Sequence, residues 1–158
     1  MSAEKSQVLA TLETHRQGLR RTLDGVSEAD AVARPTVSAL CLGGIVKHVS
    51  HAEEMWVDFV VDGVKVDDLE RYAASFVVEP GETVAGLLDR YAAVARRTEQ
   101  VVADLPDLDV THPLPEAPWY TDSSFSARQV LLHLIAETSQ HAGHADILKE
   151  TLVRAQRC

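Results

Sequence analysis

Residues 131–149, LLHLIAETSQHAGHADILK, contain no proline and one glycine. Leu131, Leu134, Thr138, Ala142, Ala145 and Leu148 recur at spacings of three and four. That period lays a single apolar seam along one face of a long helix. Beside the seam, Glu137 and His141 stand four residues apart, so their side chains share a face one turn from each other. A carboxylate and an imidazole converging in this way make half of a metal site, and the chain must supply a third ligand from another helix.

Three further helices carry the same period. Residues 4–26 place Val8, Leu12, His15, Leu19, Thr22 and Val26 on one seam. Ser27 to Asp30, SEAD, fits a small capping box that starts one helical turn, and Arg34-Pro35 then forces an extended backbone. Ser38 is the expected N-cap of a second long helix over about 39–62, with Ile45, His48, Ala52, Met55 and Phe59 facing inward. Gly43 and Gly44 in its first turns let a neighbouring backbone or a ligand come close. Asp62-Gly63 ends it. The third long helix runs from about Glu82 to Leu105, where Pro106 stops it. Ser126 with Gln129 forms a capping box for the fourth, which continues to about Arg154. Residues 64–81 read as a long crossover with a short helical piece at 67–74. Residues 106–125, with Pro106, Pro113, Pro115 and Pro118, read as a second long loop with room for a short β-hairpin. The expectation is an all-α protein: one domain over 1–158, a four-helix bundle with long connections between helices two and three and between helices three and four.

Composition narrows the function classes. A chain of 158 residues with 46% hydrophobic and 25% charged residues is long enough to bury a core. A net charge of −9 without any basic run argues against nucleic acid as a partner. The absence of a long apolar run or a charged-then-apolar leader predicts a cytoplasmic, non-membrane protein. Cys41 and Cys158 lie far apart, outside any metal-binding spacing, and are expected as free thiols.

Seven histidines, His15, His48, His51, His112, His133, His141 and His144, remain to be placed. A lone histidine on a seam is ordinarily a hydrogen-bonded core residue. His48, however, occupies the core-facing position between Ile45 and Ala52, at the depth of Glu137 and His141. Burying two imidazoles and a carboxylate without partners costs several kcal/mol, and a divalent cation satisfies all three at once. Three N/O ligands leave an open position, the layout of a catalytic site. The donor set suits Zn, Ni, Fe or Mn. His51 aligns with Lys47 and Asp58 on the wetter flank, so His48 is preferred as the ligand. His144, near Asp146, is placed to orient a ligand or touch substrate, and His133 to extend the site toward Glu137. His15 reads as a satisfied core histidine, His112 carries no signal, and Trp56 and Trp119 read as packing residues.

LGGIVKHVSHAEEMW at 42–56 together with ETSQHAGHADILKE at 137–150 resembles the DinB/YfiT-like superfamily, and within it the actinobacterial branch that includes thiol-dependent S-transferases. The resemblance spans nearly the whole chain. It implies a divalent metal held by one histidine of helix two and two residues of helix four, which fall on His48, Glu137 and His141. Many members carry histidine where Glu137 stands, and the glutamate resembles that of the metal-binding domain of mycothiol-dependent maleylpyruvate isomerases. The implied activity is a metal-dependent transferase, with zinc the preferred metal. It would activate a low-molecular-weight thiol, mycothiol or bacillithiol, for attack on a small electrophile. His144, His51 and Asp146 would orient ligands or shuttle protons. A homodimer is a further expectation, and DNA binding is not implied. Two other readings use the same residues: a non-catalytic bundle that binds metal or a small ligand, and a hydrolase working through a bound hydroxide.

Overall fold

The computed structural model describes residues 1–63, 69–116 and 120–155. The protein is mostly helical: α1 spans Ala3–Arg21, α2 Glu28–Val32, α3 Leu42–Asp62, α4 Leu69–Ala74, α5 Val84–Asp104 and α6 Ala127–Ala155. Two three-residue strands, β1 Thr111–Pro113 and β2 Ser124–Ser126, pair antiparallel with His112 opposite Phe125. They form the hairpin for which the second long loop had room, so the all-α expectation holds apart from this small ladder. The described part of the crossover carries α4, where a short helical piece was expected.

Local chemistry explains most boundaries. Ser27 caps α2 by accepting from Asp30 N–H at 3.1 Å. Ser126 and Gln129 close the expected capping box on α6: Ser126 N–H donates to Gln129 Oε1 at 2.9 Å, and Gln129 N–H to Ser126 Oγ at 3.2 Å. Gly63 takes the left-handed conformation (φ 71°) and donates its N–H to the Phe59 carbonyl, ending α3. Two starts differ from expectation. Cys41, not Ser38, precedes α3, because Cys41 is extended (φ −135°, ψ 159°) and interrupts any helix begun at 39. The Ser38 hydroxyl is paired instead with Thr36 Oγ1 at 2.9 Å. Thr83 caps α5 by accepting from Gly86 N–H at 3.1 Å, so the helix starts at Val84, two residues beyond the expected Glu82.

The core falls into two apolar clusters. One gathers Leu9 and Leu12 of α1, Trp56 and Phe59 of α3, Val102 of α5, and Val130 and Leu134 of α6. The other gathers Leu19 of α1, Ile45 and Val49 of α3, Leu87 and Tyr91 of α5, and Ala145 and Leu148 of α6. The order in which each helix meets the clusters gives its direction: α1 and α6 run one way, α3 and α5 the other. The long helices α3 and α5 are parallel and need a long return; its described residues, 69–83, carry α4. Between the clusters, each long helix contributes buried polar groups: Arg16, Glu53, Thr98 and, on α6, Thr138 and His141. His15 is only half-buried, and Arg16 takes the seam position beside it, fully buried. The physical reason is Glu53, also fully buried: Arg16 Nε donates to its Oε2 at 3.1 Å, the Arg16 Nη2 group to its Oε1, and Thr98 Oγ1 to the same Oε1 at 2.5 Å. A guanidinium can leave water only with such a partner. Cys41 is a buried free thiol; Cys158 and Trp119 lie outside the described residues.

Candidate metal centre

Helix α6 carries Glu137 and His141 at one turn's separation, and α3 brings His48 to the same point. Glu137 Oε1 lies 3.1 Å from His48 Nε2 and 3.2 Å from His141 Nε2. One potential ligand atom from each of the three lies within 4.8 Å of the others, so the group could hold a metal ion. His48 and His141 are buried, and Glu137 is partly open to solvent. Around His48, Phe76 stacks on the ring at 3.7 Å between centroids and 13° between planes, with Tyr72 at its edge.

The protonation states suit ligation. Glu137 is held far below the usual carboxylate range, first by the hydrogen bond from His141, then by that from His48, both outweighing burial. Burial pushes the His48 imidazole below its ordinary value, and the pull of Glu137 does not fully restore it. An ionised carboxylate and a neutral imidazole are the forms that bind a cation. Two imidazole nitrogens and one carboxylate oxygen are also a donor set that divalent transition metals accept. The residues present therefore fit a divalent ion.

The other sequence candidates are dispersed. His144 lies against His141, with Nδ1 atoms 3.5 Å apart. His51 is half-buried and opens to a cavity of about 230 Å³ shared with Lys47, Arg71, Ser75, Glu79 and Arg90. Asp146 is exposed along a groove of α6 with Lys149 and Glu150. His133 is exposed and meets Trp56 edge-on at 5.1 Å between centroids. Trp56 itself is core, packed on Phe59 and Phe125. His112, which carried no signal, has a structural role: its Nε2 faces the Val60 carbonyl at 3.1 Å, and its ring covers Gly63 at the end of α3. Sequence reasoning missed Tyr72, Ser75 and Phe76, which surround His48. The paired glycines held the one signal for them, because a Cβ on Gly44 would overlap the Phe76 carbonyl oxygen. The close approach that those glycines predicted is thus a backbone approach.

Comparison with known proteins bears on this site. No curated protein matches the chain. A crystal structure of a conserved protein from Enterococcus faecalis superposes with a TM-score of 0.68 at 14% identity, covering 97% of this chain and 98% of that one. A likeness at that identity concerns the fold alone. The family model described as mycothiol-S-transferase matches residues 7–153. The chain therefore belongs to the mycothiol-S-transferase family, within the DinB/YfiT-like superfamily.

Proposed function

We propose that this protein is a divalent-metal-dependent S-transferase that activates mycothiol or a similar low-molecular-weight thiol for attack on a small electrophile. The scaffold is a single-domain four-helix bundle with long connections after α3 and α5. The observation that carries the reading is the convergence of His48 Nε2 and His141 Nε2 on one oxygen of Glu137, in a chain of this family. These three residues would hold the metal, for which zinc is our assignment. When bound, such a cation lowers the proton affinity of a thiol sulfur. Glu137 contributes one negative charge, so a dication leaves the site at net +1, which an anionic sulfur neutralises. The two imidazoles are neutral donors and add no charge. His144, against His141, is assigned to carry away the thiol proton, and His51, on the cavity it shares with Ser75, to orienting the substrates. In the transfer, a sulfur–carbon bond forms and the electrophile's leaving group departs with its electron pair. We place the protein in the cytoplasm as a homodimer.

The reading is tested by mixing the protein with mycothiol and monochlorobimane and following conjugate fluorescence. Turnover should depend on added divalent metal and fall to background in Glu137→Gln. Ligand-induced thermal shift without turnover would replace this reading with a binding protein. Ester or amide turnover without any thiol would replace it with a hydrolase.

A further inference from the structure

The Ser75 hydroxyl lies at the C-terminal end of α4 and has two neighbours. It donates to the Tyr72 carbonyl at 2.6 Å and sits 2.7 Å from His48 Nδ1. A serine hydroxyl has one proton. The Tyr72 carbonyl belongs to the last turn of a helix, where carbonyls lack an intrahelical donor. The next amides are committed elsewhere: Ser75 N–H bonds to Arg71 O and Phe76 N–H to Ala73 O. The hydroxyl proton therefore serves Tyr72, and Ser75 Oγ must accept from His48 Nδ1–H. A tautomer is assigned in this way, from the hydrogen bonds its partners leave open. With the proton on Nδ1, the lone pair of a neutral ring is on Nε2, the form that a cation between Nε2 and Glu137 would meet; without a cation, Glu137 Oε1 competes for a proton on Nε2.

The same segment is fastened to α3 at three further points. Phe76 stacks on the His48 ring. Its carbonyl rests on Gly44, one turn before His48, where no side chain would fit. Lys47 Nζ donates to the Val77 carbonyl at 2.7 Å and pairs with Glu82 at the same distance. Gly44, Lys47 and His48 lie on one face of α3, so the segment 72–78 crosses that face as a strap.

We propose that Ser75, carried on this strap, is the positioning residue of the metal site: it holds the proton on His48 Nδ1 and presents Nε2 toward Glu137 and the cation. This inference rests on the metal site of the function proposed above. Partners of this kind that orient a ligating histidine typically account for about 10–100-fold in metal affinity.

Two measurements on the full chain decide it. In zinc-loaded parent protein, the nitrogen-15 shifts of His48 should show Nδ1 protonated and Nε2 on the metal; a protonated Nε2 with Nδ1 on the metal would overturn the proposal. In competition with a chelator, Ser75→Ala should bind zinc about 10–100-fold more weakly than the parent, with unchanged helicity, and Ser75→Thr should restore most of the loss. A folded Ser75→Ala that binds zinc as tightly as the parent would also overturn it. A parent that takes up no zinc would sink the proposed function and this inference with it, whereas a zinc-binding parent matched by Ser75→Ala would overturn this inference alone.

Discussion

Arg16 and Glu53 are fully buried, face each other with two hydrogen bonds, and share Thr98 as a third member. Removing one partner leaves an uncompensated charge away from water, which costs about 3–5 kcal/mol. Glu53→Gln or Arg16→Met alone should therefore lower stability by about that much in urea unfolding. The double replacement Arg16→Met with Glu53→Leu should cost far less than the two single effects summed. His48 makes a second prediction at this scale. Burial holds its imidazole below the ordinary 6.5, with Glu137 pulling the other way. The unfolded chain thus takes up this proton first. Metal-free protein should lose stability as pH falls below about 6.5, until the folded ring is itself protonated. Glu137, lowered from 4.5, adds a loss of the same sign at more acid pH. Urea melts at stepped pH check this, and His48→Asn should flatten the upper part of the slope. Residue identities on the seams were legible where the residue was apolar. They were not legible at His15 and Arg16, because periodicity favours the residue type that is more often buried. The burial of Arg16 depends on a carboxylate 37 residues away on another helix.

Helix ends were legible wherever they are made locally, as at Gly63, Pro106, Ser27 and the Ser126/Gln129 box. They shifted where the cause is a single extended residue, Cys41, or a threonine cap, Thr83. The strap was the least legible element: residues 72–78 have no period, and their order comes from contacts with α3. Gly44 was its trace in the sequence. Gly44→Ala should push the Phe76 backbone off α3, lower stability by about 1–3 kcal/mol as overpacked sites do, and weaken zinc binding through His48. Thermal melts and chelator competition on the same samples read both effects. Unchanged zinc affinity in a destabilised Gly44→Ala would separate the strap's packing from the site.

Across the whole molecule, the parallel pair α3 and α5 forces the return segment to travel back along the bundle. That path carries Ser75 and Phe76 past His48. The polar layer between the two apolar clusters lies at mid-height; the site joins it through His141, with His48 set between Ile45 and Val49 of the second cluster. Among the described residues, no helix is long and apolar enough to cross a membrane. Because His48 and the Glu137/His141 pair come from two helices far apart in sequence, an ion bound between them should stabilise the fold as a whole. Zinc at one hundred times its Kd should add about 2.7 kcal/mol to unfolding, read as a raised Tm that Glu137→Gln lacks. Zinc affinity by chelator competition, measured on the parent and on four folded variants, tests the central claim most directly. Parent and His51→Ala should bind one zinc tightly, whereas His48→Ala, Glu137→Gln and His141→Ala should lose it. Equal zinc content in all five proteins, or loss in His51→Ala with binding retained in His48→Ala, would contradict the assignment of His48, Glu137 and His141 as the metal centre.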